Sequence, residues 1–117
     1  MFLGLRTTIY PAPDLAKAKE WYTAILEIKP YFDQPYYVGF DVGGFELGLI
    51  PDKTPGQEGS IVYWGVDDIH ETWDKLLDLG ATAHENVEHV GGEIFVAAVV
   101  DPFGNLFGII QNPHFKK

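Results

Sequence analysis

Residues 40–50 read FDVGGFELGLI, and residues 100–110 read VDPFGNLFGII. Asp41, Gly44, Gly48 and Ile50 of the first stretch recur as Asp101, Gly104, Gly108 and Ile110 of the second, sixty positions on. Leu49 answers to Ile109 in the same register. Each stretch joins two apolar, alternating runs through a glycine-bearing turn, which is the signature of a hairpin. A chain that writes one hairpin twice is expected to consist of two equivalent halves. Two equivalent half-sheets can cover their helices on one face and curl the other around a ligand.

The segments upstream of the hairpins follow the same plan. Residues 3–10 (LGLRTTIY) are β-branched and apolar and read as a strand. PAPD (11–14) breaks it, and Asp14 is placed to cap a helix over about 15–27, where Leu15, Ala18, Tyr22, Ile25 and Leu26 recur at helical spacing. Residues 35–42 and 45–50 read as strands around Gly43-Gly44. The polar, Pro- and Gly-rich stretch 51–59 reads as a linker. The plan then restarts with a strand over 60–66 and a helix opened by Asp68 and Glu71, a D-x-x-E capping box. Ile69, Trp73, Leu76 and Leu77 form its apolar stripe, and Gly80 ends it. A short strand leading into a loop is expected over 81–87, then strands over 93–100 and 105–110 around the turn DPFG. Each half, 3–50 and 60–111, thus reads β-α-β-β-β with a weakly marked second strand. The fold class is α+β, one domain over 1–117, with the two modules forming a curved, cup-shaped mixed sheet.

Composition excludes several classes of function. An apolar content of 46% with 21% charged residues fits a globular chain. The absence of cysteine rules out disulfides and thiolate chemistry and fits the cytoplasm. No stretch approaches the roughly 20 apolar residues of a membrane span, so no membrane partner is expected. A net charge of −9 disfavours nucleic acid and suits a cationic ligand.

Three segments resemble the vicinal oxygen chelate superfamily, the group of glyoxalase I, bleomycin-resistance proteins and extradiol dioxygenases. DLAKAKEWYTAILEIKPY (14–31) is similar to its opening helix, VDDIHETWDKLLDLGATA (66–83) to its second helix, and VGGEIFVAAVVDPFGNLFGII (90–110) to its closing D-P-x-G-N hairpin. The resemblance implies paired β-α-β-β-β modules and a homodimer. In metal-using members it further implies a divalent cation on four His, Glu or Gln side chains, from the first and last strand of each half. Counting seven positions back from Asp14 and Asp68 gives Thr7 and Ile61, and seven on from Asp41 and Asp101 gives Gly48 and Gly108. None is a good ligand for a cation that wants nitrogen and oxygen donors, so no metal and no other cofactor are expected. Glu46 shares parity with Gly48. It reads either as a displaced ligand position or as a satisfied strand carboxylate.

The histidines lie outside the expected cup: His70 at a helix start, His84 and His89 flanking a loop, His114 in the tail. No Ser/His/Asp or Cys/His constellation is visible. Asp67 and Asp68 read as helix-start carboxylates, and Trp21 and Trp73 as core or dimer contacts. Period two places Leu5, Thr7, Ile9, Ile61 and Tyr63 on the cup side, with Glu46, Gly48, Ile50, Leu106, Gly108 and Ile110, and one of Tyr36 and Tyr37. The candidate ligand-binding residues are therefore Thr7, Tyr36, Tyr37, Glu46, Gly48, Ile61, Tyr63 and Gly108. They imply a metal-free homodimer that binds a small apolar, aromatic or cationic molecule. The alternative is a divalent-metal-dependent lyase, isomerase or dioxygenase with a rearranged site.

Overall fold

The computed structural model describes Met1 and residues 3–56 and 61–114. The chain divides into two compact units, residues 1–55 and 56–117. The first holds β1 (Thr7–Pro11), α1 (Leu15–Leu26), β2 (Phe32–Gln34), β3 (Tyr37–Val42) and β4 (Phe45–Ile50). The second holds β5 (Tyr63–Gly65), α2 (Ile69–Asp78), β6 (Thr82–His89), β7 (Phe95–Val100) and β8 (Leu106–Gln111). Both are β-α-β-β-β modules, as the repeated hairpin implies. Each makes one four-stranded mixed sheet, ordered β1-β4-β3-β2 in the first and β5-β8-β7-β6 in the second. The first and last strands of each module pair in parallel, and the other pairings are antiparallel.

Local chemistry sets the helix ends. The Asp14 carboxylate accepts from the Lys17 amide at 3.2 Å, and Asp68 accepts from the amides of His70 and Glu71 at 3.1 and 3.2 Å. The Gln111 side chain, from the end of β8, also accepts from Ile69 N at 2.8 Å. Gly80, at φ +102°, turns the chain out of α2.

Each helix covers one face of its own sheet. In the first module Tyr22 stacks on Tyr10 at 6.0 Å, and Phe40, Leu47 and Leu49 are fully buried. In the second, Ile69 and Leu76 of α2 are buried with Val99, Phe107 and Ile109. Each such side chain contributes about 1.5–3 kcal/mol by leaving water. The alternate residues, on the other face of each sheet, carry the candidate site.

The two hairpins reach the same pairing by different turns. Gly43 and Gly44 have φ of +62° and +93°, as a two-residue primed turn requires, and Asp41 accepts from Gly44 N at 2.8 Å. The second turn is longer. Asp101 is buried and accepts from the amides of Phe103 and Asn105 at 2.9 and 2.8 Å, and Gly104 N closes the turn on Asp101 O at 3.1 Å. As a result Gly48 pairs with Gly39, but Gly108 pairs with Ala98. The sixty-residue offset holds on the last strand and becomes fifty-nine on the strand before it.

Several boundaries differ from the sequence reading: β1 covers Thr7–Pro11 where 3–10 was expected, and β7 opens at Phe95 instead of 93. Pro35 and Tyr36 form the turn between β2 and β3 instead of opening a strand, because proline has a fixed φ and no amide to pair. β5 covers only residues 63–65 of the expected 60–66; beside it, Val62 O still accepts from Gly108 N at 3.0 Å. β6 runs to His89, so His84 and His89 lie on a strand, not beside a loop. Register shifts between Ala83 and Glu85 and between Glu85 and Glu88 break the alternation that would have marked it. Ser60 and residues 57–59 of the expected linker lie outside the described residues. Among the described residues no helix is long and apolar enough to cross a membrane.

Candidate functional site

In the first module the face away from α1 has a floor without side chains. Gly39 of β3 and Gly48 of β4 are directly opposed, with Ile9 of β1 and Phe32 of β2 at either end of the row. A Cβ added to Gly48 would stand 2.1 Å from the Tyr37 hydroxyl oxygen and 2.6 Å from its Cζ. The Tyr37 ring therefore lies across the space that a longer side chain at Gly48 would need. Its hydroxyl donates to Oε2 of Glu46, and the Tyr31 hydroxyl donates to Oε1 at 2.6 Å. Tyr31 is anchored by its own backbone, whose amide donates to Gly39 O at 3.0 Å. A Cβ on Gly39 would meet Glu46 at 3.0 Å, Tyr37 at 3.2 Å and Tyr31 at 3.4 Å, so all three groups converge over that glycine.

This geometry governs the titration of the phenols. Burial, then the hydrogen bond to Glu46 and its charge, raises the Tyr37 hydroxyl well above the ordinary tyrosine range. The hydrogen bond to Glu46 is the main cause of the rise at Tyr31. Both are donors throughout the physiological range, and both aim at a carboxylate.

The second module repeats the arrangement with different residues. A row runs Glu85–Ala98–Gly108–Tyr63 across β6, β7, β8 and β5. A Cβ on Gly108 would stand 2.8 Å from Cδ1 of Tyr63 and 2.6 Å from the carbonyl oxygen of Val62. Burial, then the charge of Glu85 and a hydrogen bond to it, raises the Tyr63 hydroxyl. Each module thus lays a tyrosine ring over the glycine of its last strand, with a glutamate whose charge helps raise the hydroxyl.

Of the residues expected at the site, Tyr37, Glu46 and Gly48 come together in the first module, with Thr7 opposite Glu46 in the β1–β4 ladder. Tyr63 and Gly108 come together in the second. Tyr36 does not join: it is 66% exposed at the β2–β3 turn, its ring 6.1 Å from Phe32. Ile61 is half-buried and precedes β5. Tyr31, Gly39 and Glu85 escaped the sequence reading. The Gly43-Gly44 turn alone places residue 39 opposite 48, so Gly39 was legible; Tyr31 and Glu85 depend on a three-residue strand and a bulged one.

The four-ligand cation of metal-using relatives does not fit these residues. Thr7, Gly48, Ile61 and Gly108 bring no imidazole or carboxylate. Tyr37 and Tyr63 take the room beside the two glycines, and both oxygens of Glu46 already accept phenolic protons. Among the described residues no three His, Cys, Asp or Glu side chains are grouped to hold an ion. The histidines serve elsewhere: His70 and His89 lie 5.9 and 5.0 Å from Phe95, and His114 bonds to Gly92 O at 2.6 Å.

A family model for the Glyoxalase/Bleomycin resistance protein/Dioxygenase superfamily matches residues 4–109. The chain belongs to that superfamily. Solved structures share its fold at low identity. A glyoxalase-related enzyme from Fulvimarina pelagi superposes with a TM-score of 0.77 at 16% identity, over 96% of this chain and 90% of that one. The fosfomycin resistance protein FosX from Mesorhizobium loti gives 0.77 at 12% identity, over 97% and 96%. TioX from Micromonospora sp. ML1 gives 0.74 at 16%, over 93% and 98%. No curated protein sequence matches the chain.

Proposed function

We propose that this glyoxalase-superfamily chain is a small-molecule binding protein that works without a metal, as a homodimer, and takes an apolar or aromatic ligand against the open faces of its sheets. One observation carries the reading. At the last-strand position of each module stands a glycine, and beside it a tyrosine paired with a glutamate. Such a surface offers an aromatic wall, a few oriented hydroxyls and no group that polarises a substrate oxygen as a Lewis acid does. Leu5 and Ile9 add exposed apolar area in the first module. The tyrosine hydroxyls, raised above their ordinary range, serve as hydrogen-bond donors and not as bases.

Calorimetry with a hit from a neutral aromatic library tests the reading. Binding without turnover is expected, and Tyr63→Ala should weaken it by about 1–3 kcal/mol, the worth of a buried aromatic contact. Turnover of a glutathione hemithioacetal or a catechol by the protein would contradict it and favour a lyase, isomerase or dioxygenase.

A further inference from the structure

Glu46 is a half-buried carboxylate with no cation paired to it among the described residues. The Lys17–Asp14 and Lys19–Asp33 ion pairs do not involve it. Its two oxygens face the Tyr31 and Tyr37 hydroxyls. Phe32, opposite Gly39, has its ring 6.0 Å from that of Tyr37. Tyr31 is 62% exposed, so the cluster opens to solvent.

Two phenol donors supply hydrogen bonds to the carboxylate but leave its charge in place. Aromatic faces are themselves negative, so the three rings and the carboxylate make a site of one sign. A primary ammonium would compete with the phenols for the Glu46 oxygens, because it must donate three hydrogen bonds. A quaternary ammonium donates none. It presents methyl groups to the rings and a diffuse positive charge to the carboxylate. Tyr37 lies over Gly48, and Tyr31, Tyr37 and Glu46 converge over Gly39, so such a group would meet the solvent side of the cluster, where Tyr31 is exposed.

We propose that Tyr31, Phe32, Tyr37 and Glu46 form a cage for the quaternary ammonium end of a ligand, with the tyrosine hydroxyls holding the carboxylate in place behind the rings. This rests on the binding reading above and narrows its ligand. Charge complementarity argues for the same occupant, since the chain carries a net charge of −9.

The test titrates the full chain with choline and with the neutral alcohol in which carbon replaces its nitrogen, followed by the tyrosine ring signals in proton NMR. Choline should bind about 3- to 30-fold tighter, the range of a cation–π contribution. Glu46→Gln, which keeps the shape and removes the charge, should abolish the preference. Tyr31→Ala, at an exposed position, should do so without threatening the fold. Equal binding of the two probes would overturn the cage and leave apolar binding intact. A preference that survives both substitutions would place the cation elsewhere and also overturn it. If neither probe binds, the cage is refuted, while the neutral aromatic titrations still decide the wider reading.

Discussion

The folded surroundings of Tyr37 and Tyr63 make stability depend on pH. Tyr37 and Tyr63 hold their protons more tightly in the folded chain than in the unfolded one, where the ordinary value is 10.0. A group raised in this way contributes its full stability below the unfolded value, and the contribution falls as pH climbs toward the folded value. Stability should therefore hold up to about pH 10 and decline above it. Tyr37→Phe, which cannot titrate, should remove part of that alkaline decline in chemical denaturation, and a slope identical to the parent's would contradict the geometry. The glycines test the same packing. Gly48→Ala must displace the Tyr37 ring, at about 1–3 kcal/mol for overpacking. Gly108→Ala should cost more, because its Cβ would meet a backbone carbonyl at 2.6 Å, and backbone yields less than a side chain. Much of this was legible in the sequence. Gly48, Gly108, Glu46 and Tyr63 stand out from parity and the repeat, and the choice of Tyr37 over Tyr36 follows once Pro35 opens a turn. Tyr31 was not legible, because it enters through a backbone bond to Gly39 that no local pattern encodes.

At the scale of the element, the repeated aspartates prove to be turn builders of unequal weight. Asp101 is buried and accepts two backbone amides and the Asn105 side chain, the last at 3.3 Å. Asp41 is exposed and accepts one amide. Asp101→Ala leaves buried donors unpaired and should cost about 1–3 kcal/mol, while Asp41→Ala should cost about 0.5–1.5 kcal/mol because water replaces the carboxylate. Urea denaturation of the two variants measures the difference, and equal losses would contradict the roles assigned. The helices were readable almost to the residue, since Asp14 and Asp68 are local caps with amphipathic stripes behind them. The strands were less so. β2 is short enough to fall below any alternating signal, and the register shifts of β6 scramble the period by which a strand is recognised.

For the whole molecule, each module buries one sheet face under its own helix. Modules of this size are marginal alone, and we expect a homodimer in sedimentation at micromolar concentration; a stable monomer would contradict that expectation. The duplicated β-α-β-β-β plan was legible from residues 40–50 and 100–110, because a hairpin's register is fixed by its turn and its alternating residues. The site was legible only in part, since the sequence shows Gly48 and Gly108 at the last-strand positions but not which rings lie over them. We propose that the superfamily fold is kept here for binding without a metal. Calorimetry of a neutral aromatic hit on chelator-treated protein, repeated after each of zinc, nickel, manganese and iron is added back, tests it most directly. The same affinity with and without metal, and no heat of turnover, are expected. Binding or turnover that appears only when a metal is restored would contradict it.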